Sequence, residues 1–143
     1  MASNSRLTSV VRAVLLGTAT AAVVLRLTRM AFLFVNVVGT SMEPTFVPGD
    51  RVIAIRRRLA RPLRVGDVVV LRGPQPGGHL IKRVAATSGM DVPGQPGQTV
   101  PAGSLWVLGD GRKSFDSRQF GAIGDDEAVG LVVRRLWSDP RGG

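Results

Sequence analysis

The chain has no cysteine among its 143 residues. Disulfides, thiolate metal sites and cysteine nucleophiles are therefore excluded, while the compartment stays open. Histidine occurs once, as His79, and lysine only twice, as Lys82 and Lys113. Those scarcities narrow the search for a general base. Acidic residues are also few: 10 against 19 basic ones, a formal charge of +9. Such an imbalance points to anionic partners, either nucleic acid or acidic lipid, and says little about fold. A long apolar run is lacking too. The uncharged stretch Ala13–Leu25 lies between Arg12 and Arg26, shorter than the roughly 20 helical residues that a bilayer core needs. The two arginines can snorkel to the interfaces and extend it into a short anchor helix. A cleaved signal peptide fits less well, since no small-x-small site follows the run. A helix of a soluble core is the third reading. Arg6 and Arg12 before the run nearly balance Arg26 and Arg29 after it, so charge alone does not orient the segment.

What the chain has in quantity is turn formers, with 18 Gly and 9 Pro, which favours many short elements over a helical bundle. Met30 to Val38 reads as a strand entering a turn at Gly39. Strands follow at Arg51–Arg56, Val68–Arg72, His79–Ala86, Leu105–Leu108 and Ala128–Trp137. Gly89 to Gly103, broken by three prolines, reads as loop with at most a small hairpin. Gly109 to Gly124 reads as a polar, Gly-rich loop. The spacing predicts a mainly β fold of short antiparallel strands after one N-terminal hydrophobic helix. The expected division is an anchor segment, 1–29, and a domain, 30–143.

Two residues invite a chemical reading. Ser41 stands in Gly39-Thr40-Ser41-Met42-Glu43-Pro44-Thr45, where a serine ordinarily makes a turn hydrogen bond. As a nucleophile it would need a base. His79 is one candidate and Lys82 the other. Strand alternation puts Lys82 on one face with Leu80 and Val84. Such surroundings disfavour an ammonium and can lower a lysine by several units from about 10.4. A neutral lysine can then take a hydroxyl proton. The ordinary alternative is a strand lysine with its amine in solvent.

Five segments together change that weighting. Gly39–Thr45 resembles the nucleophile box of type I signal peptidases, the serine-lysine proteases of the S26 group. Pro48-Gly49-Asp50 with Val52, then Gly66-Asp67-Val68-Val69, are similar to its next boxes. Ile81-Lys82-Arg83-Val84 resembles the lysine box. Gly109-Asp110 with Ser114, Asp116-Ser117-Arg118 and Phe120-Gly121 resembles the last. The boxes stand in the family's order and cover most of the chain after Val35.

The resemblance implies that Ser41 is the nucleophile and Lys82 the general base. The Ser41 N–H would serve the oxyanion hole, Ser114 would hold the lysine amine, and Asp116 with Arg118 would brace that loop. Gly39 stands where some relatives carry a hydroxyl-bearing oxyanion donor, and Gly111 where Asn is usual. The implied activity is cleavage of signal peptides from exported preproteins, with small residues at −1 and −3. The implied setting is a single-pass protein of the cytoplasmic membrane with its catalytic domain outside. No metal or cofactor is called for, and nucleic acid is not expected as a partner. Membrane lipid is. The basic cluster Arg56-Arg57-Arg58, with Arg61 and Arg64, reads either as a solvated loop or as a contact for anionic headgroups at about 1 kcal/mol per charge. Phe34, Val35, Val37 and Ile53 are candidate walls of a substrate groove beside the strand before Ser41, with core packing as their default reading. Alternatives are a maturation protease of the same fold dedicated to one precursor, and an inactive basic binding relative.

Overall fold

The structure, a computed structural model, describes residues 2–75 and 77–138. It divides into two units, residues 1–31 and 32–143. The first is one helix, α1 (Ala2–Ala31). Within it, Ser9–Ala31 is 23 residues long with mean hydropathy 1.8, long and apolar enough to cross a membrane. At about 1.5 Å per residue it exceeds a hydrocarbon core of about 30 Å. The uncharged run looked short because helix continues beyond both flanking arginines. Thr18, Thr20 and Thr28 donate their hydroxyls to carbonyls three or four residues back, so these polar groups need no water.

The second unit is a seven-stranded, wholly antiparallel sheet. Its strands are β1 (Phe32–Asn36), β2 (Arg51–Arg56), β3 (Val68–Arg72), β4 (His79–Thr87), β5 (Ser104–Leu108), β6 (Ile123–Gly124) and β7 (Ala128–Trp137). They lie in the order β1-β2-β7-β3-β4-β5-β6. The mainly β expectation holds. Met30 and Ala31, read as strand from their apolar neighbours, belong instead to α1. Inside the stretch 109–124, read as loop, lie the short helix α2 (Ser117–Phe120) and β6. Asp116 starts α2: its carboxylate accepts from the Arg118 N–H, and Gln119 returns a bond to the Asp116 N–H, a capping box. Such a single turn carries too few residues to show a helical period.

β3 reads Val-Val-Val-Leu because both of its faces are covered. Val70 joins Val35, Val37, Met42, Phe46, Val52, Ala54 and Ile81 in one core. Val69 and Leu71 join Val84, Leu105, Val107 and Ala128 in a second. Lys82 pairs with Val69 across the β3–β4 ladder, on the face of the second core. Its strand neighbour Ile81 faces the first, as alternation requires.

Candidate active site

Met42 and Phe46 are buried in the first core. They pin the turn after β1 and leave Ser41 half-buried at the rim of a cleft of about 850 Å³. Ser41, Thr40 and Gly39 line one side of it, and Leu71, Leu80 and Lys82 of the sheet line another. Phe115, Phe120 and Ile123 complete an apolar wall, with Phe115 and Phe120 edge to face at 5.5 Å. Ser41 and Lys82, 41 positions apart in sequence, thus open onto one space. His79 is exposed at the start of β4 and does not line it.

The Lys82 side chain is only 2% exposed. Burial pushes its amine below the ordinary lysine value. The Asp116 carboxylate pulls it back up and the Arg118 guanidinium pushes it down again. The amine donates to Ser114 Oγ at 2.9 Å, a buried contact, and the Ser114 hydroxyl is in turn bonded to Asp116. Asp116 is fully buried. Burial alone would raise its carboxyl. Bonds from Arg118, the Gly109 N–H and Ser114 instead hold it well below the usual carboxylate range. Arg118 Nε and Nη2 reach its two oxygens at 2.9 and 2.8 Å, the bidentate fork of a strong charge-assisted pair.

The loop carrying Ser114 is pressed against the serine turn. Gly111 N–H donates to the Ser41 carbonyl at 2.9 Å. A Cβ on Gly111 would stand 2.6 Å from the Thr40 carbonyl oxygen, and one on Gly109 would overlap Ser114 Oγ and the Ser41 carbonyl. Glycine at 111 therefore follows from a close approach, not from a slack loop. Gly39 lines the cleft, and a Cβ there would meet nothing within 4 Å.

Sequence reasoning missed the arginines that hold the turn. Arg83 grips Asp110 with two bonds, Nε to Oδ1 at 2.9 Å and Nη2 to Oδ2 at 2.6 Å. Thr45 Oγ1 donates to the same carboxylate at 2.6 Å. Arg135 pairs with the fully buried Asp50 at 3.3 Å, donates to the Thr45 carbonyl and lies over the Phe46 ring. Arg83 and Asp110 sit inside recognised boxes, so adjacency to Lys82 and Gly109 was the available signal. Arg135 had none.

Two further readings can be set against the structure. Phe34, Val35, Val37 and Ile53 do not line the cleft. Val35 and Val37 are core, their default reading, and Phe34 is exposed. The basic cluster is partly spent within the fold. Arg57 pairs with Asp125 and Arg61 with Asp67.

Comparison with known proteins shows the family. The family described as signal peptidase, peptidase S26 matches residues 8–98 and 90–137. The chain belongs to the S26 signal peptidase family. It is 30% identical to the thylakoidal processing peptidase 1 of Arabidopsis thaliana over 139 residues, covering 71% of this chain and 41% of that protein. It is 32% identical to the signal peptidase I of Bacillus licheniformis over 115 residues, 78% of this chain and 58% of that one. The chain thus spans less than two thirds of the length of these S26 relatives.

Proposed function

We propose that the protein is a membrane-bound serine endopeptidase that cleaves signal peptides from exported preproteins with a Ser41–Lys82 dyad. One observation carries the reading: a lysine buried to 2% exposure and biased toward its neutral form opens onto the same cleft as Ser41. Lys82 takes the Ser41 proton as Oγ attacks the scissile carbonyl carbon. The oxyanion forms against the Ser41 N–H. The Lys82 ammonium then protonates the departing amine, leaving an acyl-enzyme. Lys82, neutral again, draws a proton from water, which attacks the ester and releases the acid and Ser41. Ser114 turns the amine by accepting one of its N–H bonds, which leaves its lone pair for Ser41. The apolar wall of Leu71, Leu80, Phe115, Phe120 and Ile123 receives the small side chains before the cut. Helix α1 anchors the chain in the cytoplasmic membrane, with the catalytic domain on the outer side.

The test is cleavage of a synthetic preprotein in detergent or liposomes. Ser41→Ala and Lys82→Ala abolish turnover, and His79→Ala leaves it intact. Near-normal turnover in Lys82→Ala with loss in His79→Ala would replace the dyad by a histidine base.

A further inference from the structure

Thr45 joins the turn that begins at Ser41 to the loop that carries Ser114. Its hydroxyl donates to Asp110 Oδ2 at 2.6 Å, and Arg83 Nη2 reaches the same hydroxyl at 3.4 Å. Gly111, beside Asp110 in that loop, donates to the Ser41 carbonyl at 2.9 Å. Two bonds therefore register the serine turn against the loop, one at Ser41 and one at Thr45. Arg135 also donates to the Thr45 carbonyl, but that bond ties the turn to β7 and not to the loop. The loop in turn meets Lys82 through Ser114. Arg83, the next residue of β4, grips Asp110 with two bonds. The contacts thus close on themselves, from the serine turn through Thr45, Asp110 and Ser114 to Lys82, and from Arg83 back to Asp110.

Arg83 holds the Asp110 carboxyl below the usual carboxylate range, burial opposes it, and the Thr45 bond adds to the lowering. Thr45 therefore donates to an ionised acceptor, the stronger class of hydrogen bond. Asp110 without that hydroxyl still keeps both bonds from Arg83, so its charge is not stranded. The serine turn, by contrast, would rest against the loop on the Gly111 bond alone. We propose that Thr45 is a positioning residue whose hydroxyl fixes the place of Ser41 relative to Lys82. Its effect on turnover rests on the dyad reading above; its hold on the turn does not.

The test sets Thr45→Val, which keeps the shape and loses the hydroxyl, against Thr45→Ser, which restores it, in the full chain in detergent micelles. Melting temperatures should stay near the parent's in both. Exchange of the Gly111 amide with solvent deuterium, followed by NMR, should quicken about ten-fold or more in Thr45→Val, while the Val84 amide of β4 keeps its rate. In preprotein cleavage, Thr45→Val should lose roughly ten- to hundred-fold in kcat. KM should hold, because Thr45 does not line the cleft. The limb where turnover rises with pH should stay in place, because Ser114 and Asp116 still surround Lys82. Thr45→Ser should recover most of the lost kcat and of the Gly111 protection. An unchanged Gly111 amide, kcat within two-fold of the parent, a moved pH limb or no recovery in Thr45→Ser would overturn the proposal. A fallen melting temperature with quickened Val84 exchange would make the role one of general stability and overturn it too. A quickened Gly111 amide in a chain that cleaves no preprotein would uphold the hold on the turn and sink the peptidase reading.

Discussion

Replacing Ser114 by alanine isolates how Lys82, the proposed base, is held. The Ser114 hydroxyl accepts from Lys82 Nζ at 2.9 Å and is itself about 5% exposed, so water cannot readily replace it. Leaving a buried polar group short of a partner costs about 1–3 kcal/mol. If that cost falls on the orientation of the amine, at about 1.4 kcal/mol per tenfold, kcat drops roughly 5- to 150-fold. KM should hold, because the hydroxyl lies behind the lysine and touches no substrate in the proposed mechanism. The pH profile supplies a readout that a general loss of structure would not give. The lost acceptor stabilised the ammonium more than the neutral amine, so its removal lowers the Lys82 pKa further. Turnover rises with pH as Lys82 deprotonates, and this acid limb should move to lower pH in Ser114→Ala. The assay is preprotein cleavage at saturating substrate across pH, with circular dichroism to confirm folding. A folded Ser114→Ala enzyme with kcat within two-fold of the parent and an unmoved limb would refute the positioning role.

Other variants probe the walls of the site. Gly39→Ser has room for its Cβ, so turnover should hold or rise through an added oxyanion donor; a clear fall in kcat would count against that placement. Gly111→Asn, although it restores the family's usual residue, brings a Cβ to 2.6 Å from the Thr40 carbonyl. Overpacking of about 1–3 kcal/mol should cut kcat at least ten-fold and lower the melting temperature, and parent-like kinetics would show that the loop yields freely. Arg135→Ala strands the buried carboxylate of Asp50 and should destabilise by about 2–3 kcal/mol in denaturant melts. Adding Asp50→Asn should recover part of that loss, and purely additive losses would mean that the two do not interact.

The sheet was legible because its strands are short, bounded by Gly and Pro, and rich in valine. Arg51–Arg56, Val68–Arg72 and Ala128–Trp137 were read with the bounds they have. The setting of Lys82 was legible for the same reason. A period of two fixes the face of a strand residue, and Leu80 and Val84 report what that face meets. The cleft was not legible. Its walls come from β3, β4 and the segment 113–127, and which strands neighbour one another depends on tertiary pairing. Placing the groove beside β1 followed sequence adjacency to Ser41. The bracing arginines were hidden among 19 basic residues, most of them without a pattern to separate a partner of Asp50 from a solvated charge.

The same scarcity of acids bears on the chemistry. A buried lysine beside a lone carboxylate would form an ion pair and stay protonated, useless as a base. Asp116 stands near enough to Lys82 to raise its pKa, yet burial prevails and the amine is shifted down. The reason lies in how Asp116 is occupied. Both its oxygens are taken by the Arg118 fork, and the Gly109 N–H adds a further bond at 2.9 Å. The carboxylate therefore reaches the lysine mainly through the neutral Ser114 hydroxyl, and the positive charge of Arg118 offsets the remaining field. Asp116 and Arg118 together act on Lys82 more as a dipole than as a counterion. That lets one carboxylate order the loop that positions Lys82, the proposed base, without holding its amine in the protonated form.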